Sequence, residues 1–249
     1  MNTETQKFLS KVPAVTFGFW VIKIFATTLG ETGGNAVSRT LEFGYFVGTL
    51  VFLLPLLLIV GFQIKSKGFH PFLYWGAIAL TTLIGTTLAD FFTRSIGIGY
   101  AGGSIVLFSS VLITLGIWYR TLGSIDIKTV VEPKAEFFYW LTILFSQTLG
   151  TALGDWLADG IFGYNGGAAL IAGLLGVLAL LYYFTSVSRV ALFWAAFILT
   201  RPLGATLANS LDKPVADGGL ALNDITITAV LTVVMLILLF MIPQRAGEH

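Results

Sequence analysis

Four stretches of this chain superimpose. Trp20, Trp75, Trp140 and Trp194 are each followed ten residues later by a glycine: Gly30, Gly85, Gly150 and Gly204. Five residues beyond each glycine stands a carboxylate or its amide: Asn35, Asp90, Asp155 and Asn209. A second landmark recurs further on, in Gly44-Tyr45, Gly99-Tyr100 and Gly163-Tyr164. Gly102-Gly103, Gly166-Gly167 and Gly218-Gly219 then open the next apolar run. A tandem unit of this size buries its apolar face only against its neighbours, so the copies must pack into one body.

Each unit holds two apolar runs. The eight runs cover roughly 14–37, 45–64, 71–92, 102–120, 137–158, 164–184, 190–210 and 220–242, long enough to cross a bilayer as helices. Only 11% of residues are charged, against about a quarter in soluble domains. Pro13, Pro71 and Pro133 stand where a helix start tolerates a missing N–H. Pro55 and Pro202 fall inside runs, which membrane helices accommodate. Two crossings per unit make all four units run in the same sense, a parallel repeat. The expected fold is an all-α membrane protein of eight transmembrane helices, in a pseudo-fourfold ring or a 2+2 arrangement. The odd-numbered helices should lie inside and kink at their glycines.

The chain divides into an N-terminal arm 1–13, two repeats in 14–120, a charged linker 121–136, two repeats in 137–242 and a tail 243–249. Lys7, Lys11, Lys65, Lys67, Arg120, Lys128, Lys134, Arg189 and Arg245 fall on the side of the termini, and Arg39, Arg94 and Lys213 on the other. That excess of basic residues predicts cytoplasmic termini. There is no cysteine, which excludes disulfides, iron–sulfur clusters and thiolate metal sites. His70 is in a polar loop and His249 ends the chain, so a histidine cluster is not expected. Nothing points to nucleic acid, and no oligomer is implied.

Polar residues recur every fourth position on the odd runs, one helix face each. They are Lys23, Thr27, Glu31, Asn35 and Arg39; Thr82, Thr86, Asp90 and Arg94; Gln147, Thr151, Asp155 and Asp159; and Arg201, Asn209 and Lys213 with Ala205 between. At 1.5 Å rise per residue, Lys23 and Arg201 lie about 15–17 Å from the ends of their runs and Glu31 about 21 Å. A charge at such depth costs at least about 2.5–3.5 kcal/mol unless paired or hydrated. If the units ring an axis, the stripes converge on it. The tryptophans lie too deep for an interface belt and read as packing between repeats. The glycines read as close-packing or kink positions.

With Trp20, Trp75, Trp140 and Trp194 and the segments GETGGN, GTTLAD, GTALGD and GATLAN, the chain resembles a bacterial membrane-protein family of unknown function. Its members have four tandem repeats, each with two membrane regions and a characteristic tryptophan. The resemblance implies the fold and a multi-pass place in the bacterial inner membrane, and no activity. The Glu-x-Gly of residues 31–33 and Gly-Asp of 154–155 are also similar to short acidic motifs of some manganese and calcium antiporters.

The expected function is gradient-coupled transport of an inorganic cation of the manganese, calcium or magnesium class, since the donors are all oxygen. Glu31, Asp90 and Asp155 would be the metal ligands. Asn35, Asn209, Thr27, Thr86 and Thr151 would be neutral donors, and Lys23 and Arg201 a gate or counter-charge. A bound cation is the one cofactor this allows. The alternatives are a passive channel, marked by a continuous wet pore, and a non-transporting assembly protein, marked by a dry interior with every carboxylate paired. An acid–base enzyme needs two distinct carboxyl environments, which a fourfold motif does not suggest.

Overall fold

The structure, a computed structural model, describes residues 10–66, 68–160 and 162–247. Lys7, Lys67 and His249 lie outside the described residues. Eight long helices follow one another: α1 (Phe17–Asn35), α2 (Gly44–Lys65), α3 (Pro71–Asp90), α4 (Gly99–Leu122), α5 (Pro133–Ala158), α6 (Gly163–Phe184), α7 (Arg189–Asp212) and α8 (Asp224–Met241). α1 and α3 each continue into one π-helical turn, Ala36–Thr40 and Phe91–Ser95.

The helix starts follow local chemistry. The Thr16, Ser188 and Asn223 side chains accept from the first-turn amides of α1, α7 and α8, satisfying donors that have no helical partner. Pro71 and Pro133 open α3 and α5. Gly44, Gly99 and Gly163 stand at φ +73°, +69° and +61° at the heads of α2, α4 and α6, a left-handed conformation that costs glycine little. The fourth repeat departs from this. Gly218 and Gly219 stay in the loop, and α8 begins at Asp224, not 220. α1 begins at Phe17 and not at 14, because residues 12–14 pair with the chain's other end. α5 begins at Pro133, inside the expected linker.

Gly30, Gly85, Gly150 and Gly204 do not break their helices. They serve close approach instead. A Cβ on Gly30 would strike Thr82, on Gly85 the Gln147 backbone, on Gly150 the side chain of Arg201, and on Gly204 Thr27. Each struck residue lies three positions before the glycine of the next repeat, and the fourth glycine returns to the first repeat. The helix contacts close the same circle. α1 packs on α3 and α7, and α5 packs on α3 and α7. Around this ring α2 lies on α3, α4 on α5, α6 on α7 and α8 on α1. The second helix of each repeat thus covers the first helix of the next.

The two ends of the chain meet. Pro13 pairs with Ala246, and Lys11 reaches the Ile64 carbonyl at 3.0 Å and Glu136 at 2.5 Å. The loops after α2 and before α5 therefore lie at the same end as the termini. Around the outside, Leu54, Leu57, Ile105, Val177, Val233 and Phe240 are exposed on α2, α4, α6 and α8. Six helices, α2, α3, α4, α6, α7 and α8, are long and apolar enough to cross a membrane. Apolar surface that extensive is not carried by soluble proteins; it marks a multi-pass membrane protein. α1 and α5 are more polar, and each is enclosed by ring neighbours and a covering helix.

Candidate functional site: a buried axial stack

The ring lines up equivalent residues in layers one helical turn apart. Counting from the end that carries the termini, the first layer is Phe19, Tyr74, Tyr139 and Phe193. Next come Lys23, Ile78, Ile143 and Phe197, then Thr27, Thr82, Gln147 and Arg201. Above these lie Glu31, Thr86, Thr151 and Ala205, and then Asn35, Asp90, Asp155 and Asn209. Every one of these side chains is buried.

The aromatic layer closes the terminal end. The Tyr74 and Tyr139 hydroxyls meet at 2.6 Å, and the neighbouring tryptophans pack edge-on against the layer. The Trp75 indole N–H donates to the Gln244 side chain, and that of Trp194 to the Ile125 carbonyl. These tryptophans thus pin the C-terminal segment and the linker to the ring. Trp20 packs edge-on against Phe19 and at a tilt against Phe193.

Arg201 dominates the middle. From α7 it crosses the ring to α3, the helix on the far side, and to α1. Its Nη1 donates to the Thr27 carbonyl at 3.2 Å. Its Nη2 donates to Thr86 Oγ1 at 2.6 Å and to Glu31 Oε2 at 3.0 Å. The guanidinium therefore fills the axis, fully buried and paired with Glu31. The close glycine contacts allow this, since each brings a neighbouring backbone within reach. Thr82 Oγ1 donates to the Ala26 carbonyl at 3.1 Å, and Thr27 Oγ1 to that of Thr200 at 3.2 Å.

Toward the other end a second charge network forms. Arg94 donates to Asp90 at 2.6 Å and to Asp155 at 3.1 Å, and Arg39 donates to Asp90 at 3.0 Å. Asn209 donates to Asp155 at 3.2 Å. Asn35 lies 3.5 Å from both Glu31 and Asp212. Asp159, the exposed outer member of the α5 stripe, accepts from the Tyr100 hydroxyl at 2.6 Å.

The structure thus gathers Thr27, Thr86 and Glu31 on Arg201, and Asp90 and Asp155 on Arg94, with Asn209 on Asp155. It does not bring Glu31, Asp90 and Asp155 into one ligand shell. Among the described residues no group of three His, Cys, Asp or Glu side chains is placed to hold a metal ion. Thr151 lies in the Glu31 layer, but its hydroxyl turns back to the Gln147 carbonyl of its own helix.

Lys23 is different. Its ammonium is fully buried, 4.1 Å from the centre of the Phe197 ring, and has no hydrogen-bond partner among the described residues. Both polar atoms of the Gln147 amide and Arg201 Nε are likewise unpartnered. Sequence reasoning placed Gln147 on the stripe without a role. It missed the closing layer, although the signal was present: each repeat tryptophan directly follows a Phe or Tyr.

Two clefts open elsewhere, at the end that carries the termini. One lies between Leu122 and Ala135 in the linker, the other between Pro13 and Arg245. The first is lined by no axial residue, and the second only by Phe19 of the aromatic layer.

The model of a family described as Repeat of Unknown Function (DUF347) matches residues 18–69, 73–124, 138–188 and 192–242. Each match holds one of the four repeat tryptophans, one ring glycine and most of one helix pair. No curated protein and no solved structure matches the chain. With four copies covering most of its length, the chain belongs to the DUF347 family of repeat proteins.

Proposed function

We propose that this chain is a membrane transporter for a small ion, with its path along the axis between α1, α3, α5 and α7. All eight helices would cross the bacterial inner membrane, the termini facing the cytoplasm. The described conformation would be an occluded one. The aromatic layer seals one end, Arg201 blocks the middle, and the Arg39–Asp90–Arg94–Asp155 network seals the other.

One observation carries this reading. A purely structural charge network pairs its buried members, because an unpaired charge in a membrane interior is costly. Glu31, Asp90 and Asp155 obey that rule, which is the mark expected of an assembly protein. Among the described residues Gln147 and Lys23, which meets only the Phe197 ring, do not. A buried ammonium and a buried amide without partners, beside a guanidinium that spans the path, are suited to a group that arrives and leaves. The same blocked axis argues against a passive pore.

A second reading keeps the divalent cation. Asp90 and Asp155 share Arg94, and release of that arginine would leave two carboxylates facing each other, a hard-cation ligand pair. In this reading arginine and metal exchange places.

The test is flux in proteoliposomes, with a panel of chloride, nitrate, formate, sodium and Mn²⁺ under imposed pH gradients. Saturable uptake of at least one ion is expected, and it should be altered in Glu31→Gln, which frees Arg201 from its carboxylate. Rates equal to those of protein-free vesicles for the whole panel would refute transport. Mn²⁺ uptake alone would select the second reading.

A further inference from the structure

We infer that Lys23, Gln147 and Arg201 Nε form a binding site for one small monovalent anion, at the axis between the aromatic layer and the Arg201 guanidinium. The inference names a cargo for the path proposed above, although the site itself can be tested without transport.

The geometry places the three groups together. Arg201 and Gln147 occupy one layer on adjacent helices, and Gly150, one turn above Gln147 on α5, packs directly on the Arg201 side chain. Phe197 lies one turn before Arg201 on the same face of α7, and Lys23 sits over its ring. All three polar residues are 0% exposed. Ile78, Ile143 and Phe197 share the Lys23 layer and are buried, and buried Tyr74 and Tyr139 lie one turn nearer the end with the termini.

The chemistry selects the ligand. Arg201 spends its terminal nitrogens on Glu31, Thr86 and the Thr27 carbonyl, leaving Nε free to donate. The Lys23 ammonium and the Gln147 amide nitrogen add only donors. The Gln147 carbonyl oxygen is the one acceptor. A donor-rich shell suits an anion and repels a metal ion. Charge sets its valence. With Lys23 protonated in the bound state, Lys23 and Arg201 bring two positive charges against the one negative charge of Glu31, so one monovalent anion completes neutrality. The apolar walls favour a weakly hydrated ion, since a strongly hydrated one would lose more on entry.

The experiment is equilibrium binding to the full-length protein in detergent, held in gluconate buffer. Chloride, nitrate and formate are titrated, with calorimetry and intrinsic tryptophan fluorescence as readouts. Trp194 packs on Phe197, with ring centres 5.9 Å apart, so its emission should report occupancy. Saturable binding of about one anion per chain is expected from charge neutrality. Lys23→Met should weaken it at least about tenfold, the loss of a charge-assisted contact. Gln147→Leu should weaken it less, and Lys23→Arg should retain it.

Absence of saturable binding of all three anions to the wild type would overturn the site. So would unchanged affinity in Gln147→Leu and Lys23→Met together. Should Lys23→Met fail to fold, Gln147→Leu against Lys23→Arg carries the test. Anion binding without flux would leave the site standing and end the transport reading. Flux without anion binding would do the reverse.

Discussion

Glu31 and Arg201 stand or fall as a pair. Both are buried and joined at 3.0 Å, so removal of one leaves the other charge stranded. Breaking such a pair costs about 3–5 kcal/mol. Glu31→Gln should therefore lower unfolding stability by that order, as should Arg201→Gln. The double variant should lose clearly less than the sum, because two neutral amides can still bond Thr86 and each other. Reversible unfolding in mixed micelles measures all three; strict additivity would mean that the two side chains do not interact. At this scale the residue types were readable from the stripes, since a deep charge must find a partner. The partners were not. Spacing along one helix cannot say that Arg201 reaches across to α3, or that Arg94 joins two carboxylates of neighbouring repeats. Among the described residues Glu31 therefore stands on Arg201, apart from the two aspartates on Arg94.

Glycine makes the ring possible, and the helices divide sharply by how they use it. On the odd helices a Cβ at Gly30 would lie 2.9 Å from the Thr82 carbonyl carbon, and at Gly204 2.7 Å from that of Thr27. Gly30→Ala and Gly204→Ala must push neighbouring helices apart, at about 1–3 kcal/mol each. On the outer helices Gly61 and Gly173 have open space. There alanine should stabilise by about 0.5–1 kcal/mol, by removing glycine's backbone freedom. Thermal unfolding of the four variants checks the contrast, and equal effects on inner and outer helices would contradict the packing. The helices themselves were legible from hydropathy alone. Their ends were less so, because an apolar profile cannot see that Thr16 caps α1, that Asn223 replaces a glycine turn before α8, or that α1 and α3 end in π-helical turns.

The whole molecule is a closed circle, and its closure depends on residues from opposite ends of the chain. α8 covers α1 although about 200 residues separate them, by the same rule that sets α2 on α3; a solenoid built of repeats would instead leave its ends free. The repeat period announced four like units, but only the contacts between the first and last show that they ring an axis. Closure also fixes topology. The pairing of Pro13 with Ala246 places both termini at one end, so the eight helices alternate in direction and every second loop lies at the opposite end. The absence of cysteine makes this directly measurable, since each introduced thiol is the only one in the chain. Thr129→Cys and Ser186→Cys lie in loops at the end with the termini, and Ile96→Cys and Val215→Cys at the other. All four positions are exposed. If the excess of basic residues orients the chain as membrane proteins usually are, an impermeant maleimide added to intact cells should label Ile96→Cys and Val215→Cys only. Lysis should then expose the other pair. The opposite pattern would invert the orientation and leave the fold intact. Mixed labelling within a pair would mean that the helices do not alternate across the bilayer, and with that the axis could not be a path from one side to the other.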